Sequence, residues 1–166
     1  LDLTKLSAGR YELRRTRIDA GAALWAAFSS VEAKAATKNL SIDVSADLDH
    51  VVEADECVFT AMLSHLLDNA MNFTPADGRI DLSVTRDGNR ICLRIADNGP
   101  GVAEDDIARI LRPFEQGGRS MSDHTSVAGL GLTLVKAFAE AHGGSLAIES
   151  GEGRGFAAII ALPAAP

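Results

Sequence analysis

Two neighbouring segments alternate strictly, and they constrain the fold more than any other part of the chain. Ile80, Leu82 and Val84 alternate with Asp81, Ser83 and Thr85; after Asp87-Gly88-Asn89, Ile91, Leu93 and Ile95 alternate with Cys92 and Arg94. Period-two alternation around a glycine-containing turn predicts a β-hairpin in which each strand has one apolar and one largely polar face. A sheet built from such strands is covered on one side only, so the rest of the chain must supply a single layer of helices.

Three segments have the spacing to do so. Asp19 precedes an apolar-rich run over residues 20–36, in which Leu24, Phe28 and Val31 recur at helical intervals. Asp55 is placed to cap a second helix that runs to about Phe73 and is stopped by Thr74-Pro75. A last helix is predicted over residues 130–141, ending at Gly143-Gly144. Further strands are expected at 40–44, 146–149 and 156–162, with a short helix at 104–111 inside an irregular stretch from Asp97 to Ala128. The predicted fold is an α/β (α+β) two-layer sandwich: a mixed, mostly antiparallel sheet of about five strands covered on one face by three helices.

A chain of 166 residues buries roughly 70% of its unfolded surface as one domain, so no disulfide or structural metal is required. Its longest apolar stretches, 20–28 and 156–162, fall far short of the roughly 20 residues of a membrane-spanning helix, and no secretory signal opens the sequence. Cys57 and Cys92 lack CxxC spacing and are expected to be buried, reduced thiols, which points to a cytoplasmic setting. With 16 basic against 23 acidic residues the net charge is −7, which argues against a duplex nucleic-acid binder. Residues 1–10, with Leu1, Leu3, Leu6 and Gly9, read as the last turns of a helix that begins upstream.

Three places could carry chemistry. On the second helix, His65, Asn69 and Asn72 fall within roughly 60° of one another beside the apolar face. An amide oxygen there suits a hard cation, and a solvated helix edge would look the same. Asp97 continues the parity of Ile91, Leu93 and Ile95, so its carboxylate points toward the apolar face, where an unpaired charge is costly; Asp-Asn-Gly-Pro-Gly is also strong turn chemistry. Gly99 and Gly101 fit either a tight turn or a close-lying ring. Gly129-Leu130-Gly131-Leu132 is predicted to open the last helix, where unpaired amides attract anions. It is neither a Walker loop nor a dinucleotide fingerprint.

Taken in order, His65-Leu-Leu-Asp-Asn69-Ala-Met-Asn72-Phe-Thr-Pro75, Asp97-Asn-Gly99-Pro-Gly101, Arg112-Pro-Phe114-Glu-Gln and Gly129-Leu-Gly131-Leu strongly resemble the N, G1, F and G2 boxes of the histidine-kinase ATP-binding domain. This is the Bergerat fold of the GHKL superfamily, and the resemblance covers about residues 18–164. Asp2 to Gly9 also looks like the end of the dimerisation helix that precedes this domain in such kinases, so residues 1–17 are expected to be that helix end with its linker and 18–166 the catalytic domain.

By position, the resemblance implies that Asn69 ligates Mg²⁺ and that Asp97 accepts a hydrogen bond from the adenine amino group of ATP. Gly99 and Gly101 would shape the adenine wall. Gly129 and Gly131 would face the phosphates, Asn72, Leu130 and Leu132 would also belong to the ATP-binding set, and Phe114 would belong to a mobile lid over 103–128. The implied reaction is γ-phosphoryl transfer to a histidine of a dimerisation domain and then to the receiver domain of a response regulator, within a homodimeric protein that does not act on nucleic acid.

The departures from the pattern are specific. None of His50, His65, His124 and His142 stands in a phosphoacceptor motif, so this chain is not expected to phosphorylate itself. Val127-Ala128 replaces a glycine and a hydroxyl, Asn72 stands where a basic residue is common, and Arg154-Gly155 replaces threonines. His65, Arg112, Arg119 and Lys136 are candidates for the phosphate region, the three basic residues as compensating charges. The alternative reading is a degenerate kinase-like scaffold with weak nucleotide binding. A gyrase-type or chaperone-type ATPase would carry glutamate at His65. A protein-serine kinase of the anti-sigma type shares the fold, but the helix remnant at 1–9 argues against it.

Overall fold

A computed structural model describes residues 9–47, 49–111 and 124–166, with side chains from 132 onward in the last segment. The chain-order elements are β1 (Arg15–Asp19), α1 (Ala20–Thr37), β2 (Ser41–Ala46), β3 (Val51–Asp55), α2 (Glu56–Phe73), β4 (Arg79–Asp87), β5 (Arg90–Asp97), α3 (Glu104–Ile110), α4 (His124–Ala141), β6 (Ser145–Ser150) and β7 (Phe156–Pro163). The expected end of an upstream helix at residues 1–8, and Arg112, Phe114 and Arg119, lie outside the described residues.

The main sheet runs β2-β4-β5-β7-β6, with β2 parallel to β4 and every other pair antiparallel. The predicted hairpin is present in register: Asp87 pairs with Arg90 across Gly88 and Asn89, and Gly88 takes φ +60°. Ile80, Leu82, Ile91, Leu93, Ile160 and Leu162 are buried beneath Leu24 of α1, Met62 and Leu66 of α2, and Val135 and Phe138 of α4. At roughly 25 cal/mol per Å² of apolar surface, this one interlayer seam is the main source of stability.

The Asp55 cap read from sequence holds, and Asp19 caps the first helix in the same way. Asp19 accepts from the Ala22 amide at 3.1 Å and opens α1; Asp55 accepts from the Val58 amide at 3.2 Å and opens α2. Thr74, fully buried, ends α2, its hydroxyl returning to the Ala70 carbonyl at 2.6 Å.

Three features differ from expectation. β1 and β3 form a separate antiparallel ribbon, Arg15 opposite Asp55 and Asp19 opposite Val51. Neither strand alternates cleanly, so the pairing left no period-two signal. Helix α4 begins at His124, six residues before the predicted start, so Gly129 to Leu132 lie inside it. The glycines cost the helix about 1 kcal/mol each, which packing of the helix as a whole can override. The cysteines are not buried: Cys57, second residue of α2, is exposed, and Cys92 is half-exposed on the uncovered sheet face. Cys57 escapes burial because Val58, Phe59, Met62 and Leu63 carry the inward face of its helix.

Candidate functional site

The site is built where β5 ends against the last turn of α2. Asp97 pairs across the sheet with Ile80, which is fully buried, so its carboxylate faces the helix layer as the alternation predicts. Oδ1 accepts from the Gly99 amide at 2.9 Å. Burial pushes the Asp97 carboxyl above its ordinary value, and the amides of Gly99 and Phe156 only partly oppose the shift. A carboxylate in so unfavourable a place is a candidate functional group.

The glycines around Asp97 serve backbone contacts. A Cβ on Gly99 would lie 2.8 Å from the Phe73 carbonyl oxygen, so the loop after β5 abuts α2 one turn beyond Asn69. Gly101 has φ +72°, and its Cβ would meet the carbonyl oxygens of Gly151 at 2.2 Å and Gly155 at 2.6 Å. Gly155, at φ +77°, would place a Cβ 2.2 Å from the Asp97 carbonyl oxygen. The space that these residues leave is filled by the protein's own carbonyls. The turn 151–155 thus braces the strand end, helped by Gly153 donating to the Pro100 carbonyl at 2.7 Å and by Ser150 Oγ between Val102 and Gly155. A side chain at 155 is excluded by that contact, which explains the glycine there.

Asn69 and His65 sit partly buried on the flank of α2, and Asn72 is exposed one turn on. Among the described residues neither asparagine makes a side-chain hydrogen bond, and an amide oxygen is a donor type that hard cations take. No group of three or more His, Cys, Asp or Glu side chains that could hold a metal occurs among the described residues.

The opposite wall is α4, packed beside α2. Leu132 is buried with Val135, Phe138 and Ala139, and Lys136 is partly exposed on the helix flank. Because α4 begins at His124, the four amides a helix leaves unpaired belong to residues 124–127 and not to Gly129 through Leu132. The helix N-terminus therefore lies six residues earlier than the sequence suggested.

Two supports escaped the sequence reading. Lys38, just after α1, donates from Nζ to the carbonyl oxygens of Met71 at 2.9 Å and Asn72 at 3.4 Å, capping the negative end of α2. Asn98 joins β4 to the site loop, its Oδ1 accepting from the Arg79 amide at 2.8 Å. Neither pairing has a local sequence signal. A cavity of about 280 Å³ edged by Arg94, Ala96, Glu149, Arg154 and Ala157 opens on the uncovered sheet face and reaches Asp97 and Phe156 at the strand ends, whereas Asn69 and α4 lie on the other face.

Residues 54–166 match the family described as histidine kinase-, DNA gyrase B-, and HSP90-like ATPase. The chain belongs to that family. It is 34% identical over 164 residues to the histidine protein kinase DivJ of Caulobacter vibrioides, covering 98% of this chain and 27% of DivJ. Among solved structures it is similar to full-length ShkA in complex with AMPPNP, with a TM-score of 0.81 and 31% identity, over 98% of this chain and 34% of that one. The nucleotide-free catalytic domain of ThkA shares the fold, with a TM-score of 0.79 and 23% identity over 91% of this chain and 96% of that domain. The chain thus spans about a quarter of DivJ. It is an ATP-binding catalytic domain of the sensor histidine kinase type, with a nucleotide-binding GHKL fold. No helix among the described residues is long and apolar enough to cross a membrane.

Proposed function

We propose that this domain holds Mg-ATP between α2, the loop after Asp97 and α4, and presents the γ-phosphoryl group to a histidine of a dimerisation domain outside this chain. The carrying observation is Asp97, a carboxylate kept half-buried at the helix-facing end of β5 with only backbone amides to oppose its burial. Its free acceptor capacity suits the adenine amino group. Asn69 supplies the amide oxygen for Mg²⁺, which screens the charge of the phosphates as they are positioned. Lys136, with Arg112 and Arg119, supplies positive charge on the phosphate side. The domain's contribution to transfer is positioning and charge neutralisation. A receiver domain then takes the phosphoryl group from the histidine, and the whole protein works as a cytoplasmically facing homodimer.

The test is the metal dependence of nucleotide binding in Asn69→Ala. The variant should bind ATP with most of the Mg²⁺ enhancement gone while its thermal melt stays close to the parent's. An unchanged Mg²⁺ enhancement would place the cation on another residue, and no nucleotide binding by the folded parent would favour a scaffold role, with Val127 and Ala128 the first residues to exchange.

A further inference from the structure

His142 is the last buried polar side chain of the helix layer, and the nucleotide site makes no use of it. It lies just past the C-terminus of α4 and is 2% exposed. Its Nδ1 is 2.7 Å from the Phe138 carbonyl oxygen, which can only accept, so Nδ1 carries the proton. Its Nε2, left as an acceptor, takes the backbone N–H of Asp55 at 3.1 Å. Both ring nitrogens are committed, and the neutral imidazole is the only form that satisfies both bonds.

Asp55 is itself a junction. Its Oδ1 caps α2 at the Val58 amide, and its Oδ2 accepts the Arg14 amide at 2.9 Å and faces the Tyr11 hydroxyl at 3.5 Å. Those two residues belong to the segment that enters the domain ahead of β1. Arg15 completes the cluster, its guanidinium donating to the Ala141 carbonyl at 3.1 Å at the end of α4. Three units therefore meet here: the entering segment, the first turn of α2 and the last turn of α4. The nucleotide-bearing stretches of those helices, Asn69 on α2 and the start of α4, lie at the opposite ends.

We propose that Asp55 and His142 are positioning residues that pin the distal ends of α2 and α4 to each other and to the entering segment, so that protonating His142 loosens α4 and weakens nucleotide binding. This rests on the nucleotide site described above. A doubly protonated ring would point an Nε2–H at the Asp55 N–H, setting two donors against each other at the observed distance. The charged groups around the imidazole are Arg15 of β1, which disfavours the cation, and the Asp55 carboxylate of β3, which favours it. Tyr11 and the Cys57 thiol of α2 lie beyond Asp55. Burial outweighs the rest and holds His142 below the ordinary imidazole value. The Asp55 carboxyl is raised by burial, but the amides of Arg14, Val58 and Cys57 and the Tyr11 hydroxyl bring it below the ordinary range, so it stays ionised throughout the window tested.

The experiment compares AMPPNP affinity and amide hydrogen exchange from pH 8 to 5.5 in the whole chain, in His142→Gln and in His142→Leu. Gln offers an amide oxygen to the Asp55 N–H at every pH in that range. The parent should lose about twofold or more in affinity between pH 7.5 and 5.5, with faster exchange at the C-terminal end of α4. His142→Gln should keep the parent's affinity at pH 8 and lose most of that decline, and His142→Leu should bind weakly at every pH. A His142→Gln profile that tracks the parent's overturns the proposal. If AMPPNP fails to bind the folded parent at pH 8, the nucleotide reading fails instead; a pH-dependent exchange difference between parent and His142→Gln at α4 then shows that the pin itself exists.

Discussion

Replacing Asp97 by Asn separates recognition from folding, and the geometry fixes the direction of each effect. The carboxylate oxygen that now accepts from the Gly99 amide at 2.9 Å would be kept by the amide oxygen of Asn, because the Gly99 donor cannot move without displacing the loop against Phe73. The Asn nitrogen is then turned toward the ligand, where it sets a donor against the donating amino group of adenine. A hydrogen bond to a charged partner is worth about 1.5–3 kcal/mol, so ATP affinity should fall by roughly ten- to hundredfold. Stability should move the other way. The Asp97 carboxyl is raised by burial, so its favourable contribution is complete below the unfolded value near 3.8 and is lost as pH rises through the folded value. At pH 7 the parent bears the cost of a buried charge that Asn does not carry. Thermal melts at pH 7 should show Asp97→Asn equal to or above the parent, the gap closing on acidification, while calorimetry shows the affinity loss. An unfolded variant, or one with full ATP affinity, refutes the assignment of Asp97 as an adenine acceptor.

Gly155→Ala should destabilise the domain by about 3 kcal/mol in urea unfolding, since a positive φ is joined to a Cβ 2.2 Å from the Asp97 carbonyl oxygen. Gly153→Ala, at φ +74° with nothing within 4 Å, should cost only the roughly 1 kcal/mol of backbone strain. Lys38→Met removes the charged cap of α2 while keeping its aliphatic stem, and should cost about 1–3 kcal/mol with a weaker Mg-ATP complex; an unchanged melt would show that solvent caps the helix as well as Lys38 does.

The layer of the fold that follows from periodicity was legible in the sequence. The hairpin at 80–95, the Asp55 cap and the inward aim of Asp97 need only alternation, spacing and one capping residue, each local to the chain. The β1–β3 ribbon was not, because a strand such as Arg15–Asp19 has no apolar face of its own and exists only through its partner 36 or so positions away. The start of α4 was misplaced because glycines at 129 and 131 read locally as a helix opening, whereas the helix runs from His124. Cys57, without a CxxC partner, was expected in the interior, yet the helix phase that buries Val58 and Phe59 turns it outward. At the site, the residues that face a ligand could be named from motif order, whereas Lys38, Asn98 and the turn 151–155 hold them through bonds that span 19 to 50 or so positions and leave no pattern.

The central claim is that Asp97 reads the amino edge of adenine. Guanine carries a carbonyl oxygen where adenine carries that amino group, so GTP sets an acceptor against the carboxylate. Calorimetric titration of the chain with ATP and with GTP, both with Mg²⁺, tests this directly. The account predicts ATP bound at least tenfold more tightly than GTP, with the preference abolished in Asp97→Asn. Equal affinity of the folded parent for the two nucleotides, or a preference that survives in Asp97→Asn, would contradict it.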